Sequence, residues 1–347
     1  MTSLGINGRF RRGPQTGVQR VASELIERLG VRTVEHVPTR HATGMRGHLW
    51  EQTMLPLLSH GKPLWSPCNT GPLAVREQVV TFHDAVVFDH PEWFSRAFVQ
   101  TYRLLWPRLA RRVRRVVTVS QYSRRRLAEA LDIAPGAIDV VPNGVSSRFC
   151  VSAAEQISRV TTRYGVQPQR YFVTLSTIEP RKNLPLVLRA WQSARARLPE
   201  DVQLLLLGSG GATHIFSGSG EEEISGKSVL RAGFVPDGDL PALLGGACAL
   251  LYPSRYEGFG LPILEAMACG TPSVTTALTS LPEVGGSAAI YVDANDPADL
   301  ARQMISLWSE PSLRQELSEA SLERARLFSW NAAAQEMDDI LRRYLDL

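Results

Sequence analysis

The sequence predicts an α/β chain built from two doubly wound parallel-sheet domains, and three observations carry that prediction. Short β-branched or leucine-rich runs alternate with longer amphipathic stretches in both halves, the pattern of βαβ units. The length of 347 residues suits two domains. The charge divides near the middle: residues 1–150 hold 21 basic against 11 acidic side chains and residues 151–347 hold 17 against 23, within a net charge of +4.

In the first half, strands are expected at Leu4–Gly8, Val79–Phe82, Val116–Val119 and Ile138–Val141. Val18, Val21, Ala22, Leu25, Ile26 and Leu29 recur at the three-and-four spacing of a helix with one buried stripe. Phe98, Tyr102, Leu105, Trp106, Leu109 and Val113 form a second such stripe, and Pro107 is expected to kink or restart that helix. The turn signal Pro142-Asn143-Gly144 and the polar run Ser146–Arg163 read as a hinge. The expected domains are therefore 1–150 and 151–327, with a C-terminal helix at 328–347 packing back toward the first.

The second half opens with a strand at Tyr171–Ser176 and a helix from Leu184 to about Arg197. Val202–Leu207 is nearly all leucine, so both of its faces should be buried. Further strands are expected at Val229–Gly233, Cys248–Tyr252, Ser273–Thr276 and Ala289–Asp293. Gly208–Gly226 is rich in glycine and serine and reads as a mobile loop.

Composition also excludes. The four cysteines are scattered, with no Cys-x-x-Cys pair, so neither a zinc knuckle nor a secreted disulfide framework is expected. No basic-then-apolar leader opens the chain, and the apolar run Leu240–Ser254 is too short and too interrupted to span a membrane. A cytoplasmic protein is the expectation. Nine arginines lie between Arg103 and Arg126 with no acidic residue among them. Such a run suits a polyanion or is a solvated helix face; with no nucleic-acid module around it, nucleic acid is not expected, and an anionic inner-membrane face is the candidate partner. Asp237-Gly238-Asp239 looks like a metal-binding pair, but helix capping explains it better, so neither a metal nor a cofactor is expected.

The most informative segment is Ser254–Gly270, which reads strand, glycine loop, helix. Pro262 fits a first helical turn and Gly270 a C-terminal cap, so unpaired N–H groups at Gly260, Leu261 and Pro262's turn point into the loop and make an anion seat. Gly258 and Gly260 carry no side chain to keep a phosphate away. Glu257 and Glu265 flank that seat, where carboxylates are poorly suited to phosphate but well suited to hydroxyls of a ribose on one side and a second sugar on the other. Two adjacent cations, Arg181 and Lys182 in Glu179-Pro180-Arg181-Lys182-Asn183, follow a predicted parallel strand, at the end where such sheets bind ligands. Gly13-Pro14-Gln15-Thr16-Gly17 ends the first βα connection at another helix start. Thr81-Phe82-His83-Asp84 closes a strand, and an isolated His-Asp pair of this kind is equally a buried hydrogen-bonded couple.

Through Glu257 and Glu265 in a Glu-x₇-Glu pattern, the block EGFGLPILEA, Thr271-Pro272 and Leu281-Pro282-Glu283, the chain resembles the retaining glycosyltransferases of family 4. The resemblance implies two Rossmann-like domains facing across a cleft, the GT-B architecture. It implies a nucleotide diphosphate sugar as donor, with Arg181, Lys182, Gly17, Gly260 and Leu261 on the diphosphate. His83, Glu257, Phe259 and Gly260 would then meet the transferred sugar, and Glu265 and Val235 the ribose and base. Gly13, Thr16 and Gly17 would form the acceptor and phosphate loop, and Asp84 would orient His83 or line the acceptor site. Where some members carry a further arginine before the PRKN segment this chain has Ser176, so either Arg181 does that job or the second cation is missing. Trp50-Glu51-Gln52, His83-Asp84 and Pro91-Glu92-Trp93-Phe94-Ser95 resemble members that build bacterial surface polysaccharides, which points to a GDP-mannose-type donor and a glycan or lipid-linked acceptor. A UDP-hexose donor, a nucleotide-sugar epimerase of the same architecture and a non-enzymatic polyanion-binding module are the alternatives.

Overall fold

The computed structural model describes residues 3–13, 16–38, 44–175, 179–208 and 228–347. The chain divides into two compact units: residues 1–91, 96–144 and 328–347 form the first, and residues 92–95 and 145–327 the second.

The first unit is built on β1 (Leu4–Asn7), β2 (Thr33–His36), β3 (Leu64–Ser66), β4 (Gln78–Thr81), β5 (Arg115–Thr118) and β6 (Ile138–Val140). They form one sheet in the order β2-β1-β3-β4-β5-β6, every pair parallel. Two strands lack an obvious signal in the sequence. β2 is largely solvent-facing, and β3 is three residues long and wholly buried. The stripe through Tyr102 and Trp106 does form a helix, Arg96–Ala110, and the helix runs on through Pro107. Trp106 stacks on Phe82 at 4.5 Å between ring centroids, which anchors this helix to the end of β4.

The last helix, Trp330–Leu345, belongs to this unit and packs against the helix Gly17–Ile26. Its Asp338 carboxylate accepts hydrogen bonds from the Val31 N–H (3.0 Å) and from Arg342 Nε (2.7 Å). Gly144, where the chain leaves the unit, lies directly against the segment that returns: a Cβ on Gly144 would stand 2.1 Å from the Trp330 backbone nitrogen. Gly144→Ala must therefore displace backbone. It is expected to cost about 1–3 kcal/mol, read as a lower denaturant midpoint at unchanged slope.

The second unit contains β7 (Tyr171–Leu175), β8 (Gln203–Leu207), β9 (Val229–Gly233), β10 (Ala249–Tyr252), β11 (Ser273–Thr276) and β12 (Ala289–Val292), in the order β12-β11-β10-β7-β8-β9, again parallel throughout. β8 is an inner strand, and Leu204–Leu207 are at most 2% exposed, as an all-leucine run requires. Helices Leu184–Arg195 and Pro297–Ser309 cover one face, burying Leu186, Trp191, Leu300 and Met304 against Phe172, Leu204 and Leu251. The polar run expected as a hinge is a helix over Ala154–Arg163, with Val160 and Thr161 as its buried contacts. Most of the Gly208–Gly226 loop lies outside the described residues.

In each sheet the strand order reverses beside the first strand laid down, between β1 and β3 in one unit and between β7 and β10 in the other. Carboxyl ends of strands at such a reversal flank a crevice, because the chain leaves them in opposite directions.

Candidate active site

The reversal in the second unit gathers Arg181 and Lys182 with Glu257. The chain after β7 makes a 3-10 turn at Pro180–Lys182, and Asn183 follows in the left-handed region (φ 57°). Asn183 Nδ2 ties this turn to the next connections, donating to the carbonyls of Pro253 (3.2 Å) and Ala294 (2.9 Å). The Arg255 N–H donates to the Arg181 carbonyl at 2.7 Å. The two segments that follow β7 and β10 are thus sewn together, and their side chains meet below.

Lys182 is 9% exposed and Glu257 6%. Lys182 Nζ donates to Glu257 Oε1 at 2.7 Å and also bonds the Tyr252 hydroxyl. That hydroxyl donates in turn to Glu257 Oε1 (2.6 Å), and the Ser254 hydroxyl stands 2.9 Å from the same oxygen. Arg181 Nη1 takes Glu257 Oε2 at 3.0 Å, while its Nε holds Glu179. Burial alone would raise the Glu257 pKa. The Lys182 ammonium and the Arg181 guanidinium outweigh burial and bring it to about 2, with the Lys182 and Tyr252 hydrogen bonds acting in the same sense. Burial, and then Arg181, lower the pKa of Lys182, against the Glu257 and Glu179 carboxylates that raise it. Glu257 is the carboxylate in direct contact with the buried Lys182 amine.

The glycine loop comes next. The Glu257 N–H donates to Thr279 Oγ1 (3.1 Å), and Ser280 Oγ lies 2.8 Å from the Glu257 carbonyl and 2.9 Å from that of Phe259. Gly260 adopts φ 115°, which only glycine takes without strain, and opens the helix Leu261–Ala268. The N–H groups of that helix's first turn face the loop, so the Ser254–Gly260 connection has the backbone of an anion seat. Glu265 is one turn inside the helix and 7% exposed, and Phe259 is buried. Val235 lies just after β9 and is half-buried, beside Phe234, which is 77% exposed. Tyr252 and Ser254 were not singled out in the sequence; only the fold shows that both converge on Glu257.

In the first unit His83 follows β4 and is 5% exposed. Its Nε2 lies 2.8 Å from the Pro67 carbonyl, which can only accept, so Nε2 carries the proton and Nδ1 is left as an acceptor. Burial lowers the His83 pKa to about 4, against the bond to Pro67 that raises it. The ring is neutral at physiological pH. Asp84 Oδ1 accepts from the Val86 N–H at 3.0 Å and so shapes the turn after the strand. Thr16 precedes the helix Gly17–Ile26 and its N–H bonds Gln19 Oε1 (3.1 Å); Gly13 closes a turn on the Phe10 carbonyl, and Pro14 and Gln15 lie outside the described residues, as does Ser176.

Comparison with known proteins gives the same direction. Residues 163–324 match the family described as "Glycosyl transferases group 1", and residues 57–149 match "Glycosyltransferase Family 4". The O-antigen chain mannosyltransferase B of Escherichia coli is 33% identical over 272 residues, which cover 75% of this chain and 68% of that protein. The chain belongs to glycosyltransferase family 4.

This glycosyltransferase is also 30% identical over 233 residues to the serotype-specific mannosyltransferase WbdA of Escherichia coli, a match that covers 65% of the chain and 28% of WbdA. Its fold superposes on Anabaena Alr3699/HepE, solved in complex with UDP and glucose, with a TM-score of 0.76, 17% identity and 99% and 100% of the two chains covered. WaaG, a glycosyltransferase involved in lipopolysaccharide biosynthesis, superposes with a TM-score of 0.70 at 14% identity over 98% and 99% of the chains. The architecture is GT-B.

One expectation needs correction in this transferase. Asp239 stands before the helix Leu240–Gly245, but its side chain does not cap it; the carboxylate takes Arg163 (2.6 Å) and the Tyr164 hydroxyl (3.0 Å). The arginine run is also less bare than its sequence suggests. Arg111, Arg114, Arg115 and Arg126 pair with Asp132, Glu77, Asp139 and Asp89, all brought in from outside the run. Among the described residues no helix is long and apolar enough to cross a membrane.

Proposed function

We propose that this transferase moves a mannose-type hexose from a GDP-linked donor to a hydroxyl of a bacterial surface glycan or its lipid-linked precursor, with retention of the anomeric configuration. The observation that carries the reading is the buried Lys182–Glu257 pair beneath the Gly258–Gly260 loop, at the strand reversal of the second sheet. Similarity to the Escherichia coli mannosyltransferases supports the sugar and the glycan.

As the glycosidic bond breaks, negative charge grows on the departing diphosphate. Lys182 and Arg181 are already oriented by Glu257 and Glu179, so stabilising that charge needs no rearrangement at the moment of reaction. In this reading the two cations and the helix N–H groups do the work without a metal. Glu257, Phe259 and Gly260 border the sugar, while Glu265 takes the ribose and Val235 the base. His83 accepts a sugar hydroxyl at Nδ1. Retention is assigned to front-face attack, with the departing phosphate taking the acceptor proton, rather than to a covalent intermediate on Asp84, whose Oδ1 accepts the Val86 N–H. An anionic membrane face is kept as a proposed partner of the run Arg103–Arg126, in which Arg103, Arg108, Arg112, Arg124 and Arg125 pair with no carboxylate among the described residues.

The test is ligand-dependent stability. GDP at about one hundred times its dissociation constant adds about 2.7 kcal/mol to the unit that binds it and raises its melting temperature by several degrees. The expected result is a larger shift with GDP than with UDP at equal concentration, together with turnover of GDP-mannose. An equal or larger shift with UDP overturns the assigned base.

A further inference from the structure

The strand reversal of the first sheet holds a second buried carboxylate, Glu51, which the reaction described above does not use. Glu51 lies on the helix Gly44–Ser59 and is 0% exposed. Its Oε1 accepts from Asn7 Nδ2 (2.6 Å) at the end of β1 and from the Thr70 hydroxyl (2.9 Å) after β3, and stands 3.3 Å from Arg9 Nε. Arg9 Nη2 in turn donates to Thr70 Oγ1 at 2.7 Å. The cluster therefore occupies the crevice between β1 and β3. It also adjoins His83, because one turn serves both: Pro67 and Asn69 bond the His83 ring and N–H, and Thr70 bonds Glu51.

Glu51 Oε2 is different. It is buried without a hydrogen-bond partner, and 3.6 Å away lies His48 Nδ1, itself buried and without one. Two enclosed polar atoms that face each other this closely must differ in kind, since two lone pairs would repel. The carboxylate is the acceptor, so Nδ1 carries a proton, and in the neutral imidazole that leaves the lone pair on Nε2. Nε2 has no partner among the described residues, and the His48 side chain is 20% exposed. The Tyr102 ring meets the imidazole edge-on at 6.3 Å between centroids. Beside it the Arg9 guanidinium, 17% exposed, presents only donors. A fixed acceptor next to a fixed donor is the pairing that sugar hydroxyls, each both donor and acceptor, satisfy best.

We infer that His48, positioned by Glu51, accepts a hydrogen bond from a hydroxyl of the acceptor hexose, with Arg9 donating to its neighbour. This rests on the proposed function in taking the acceptor to be a sugar, and it places that acceptor on the first unit. Steady-state transfer from GDP-mannose to methyl α-mannopyranoside is compared in wild type, His48→Ala, His48→Gln, Glu51→Gln and the same-helix control Thr53→Ala. The acceptor KM is expected to rise about tenfold in His48→Ala, the loss of one hydrogen bond, with kcat at saturating acceptor held within about twofold. His48→Gln, which returns an acceptor oxygen near Nε2, recovers part of that rise. Glu51→Gln raises the acceptor KM several-fold, and Thr53→Ala changes neither constant. An unchanged acceptor KM in His48→Ala overturns the inference, as does an equal fall in kcat. Should GDP-mannose not be turned over, the donor assignment fails by itself, and ligand-observed NMR of the glycoside on the free protein still decides this one. Binding lost in His48→Ala supports it; equal binding in both, or none to wild type, overturns it.

Discussion

Glu257→Ala is expected to destabilise the second unit by about 3–5 kcal/mol, because it leaves the Lys182 ammonium buried with no carboxylate beside it. For a unit of this size that is a fall of roughly 10 °C in melting temperature. Glu257→Gln keeps the shape and the Tyr252 and Ser254 contacts but removes the charge, so it should fall between wild type and alanine. Acid reproduces the effect in the unmodified protein. The folded-state pKa of about 2 lies below the ordinary 4.5, so the stabilisation from this carboxylate is fully present above about pH 4.5 and is lost as pH falls toward 2. Melting temperatures measured from pH 7 to pH 3 should drop in wild type through this window, and the drop should shrink in Glu257→Gln. A slope that is the same in both proteins would show that Glu257 is not the titrating group.

Lys182→Ala is expected to lower kcat by about 10²–10³ while the protein still folds, because Arg181 remains to hold Glu257. The loss should fall on the chemical step. A cation whose orientation is already fixed serves the diphosphate most when its charge is largest, in the transition state, so the donor KM should change much less than kcat. Single-turnover rates with saturating GDP-mannose read this directly. A variant in which the donor KM rises tenfold with kcat intact would reassign Lys182 to ground-state binding.

Much of this site was legible in the sequence, and what was not has a physical reason. Arg181, Lys182, Glu257 and Gly260 stand out because glycines, a proline at a helix start and paired cations leave a pattern within a few residues. Their mutual geometry does not. Lys182 and Glu257 are 75 residues apart, and their contact follows only once β7 and β10 are adjacent strands. The partners of the arginine run are hidden for the same reason, since its counter-ions Glu77, Asp89, Asp132 and Asp139 belong to other turns of the chain. Strands buried on both faces, such as Val79–Thr81 and Leu204–Leu207, were visible as unbroken apolar runs, whereas β3, three residues long, carries too little pattern to recognise. The helix Ala154–Arg163 reads as a hinge in the sequence because only Ile157 and Val160 in it are aliphatic beyond alanine, and one turn of such spacing hardly differs from chance.

The placement of Phe328–Leu347 with the opening residues makes residues 145–327, the whole of the second unit apart from Glu92–Ser95, an insertion between Gly144 and Phe328. Recombination between relatives can therefore transplant residues 145–327 whole, with two junctions and no interruption of either sheet. A graft joined at a single point would instead give the recipient a foreign closing helix, without the Asp338 partner that Val31 awaits.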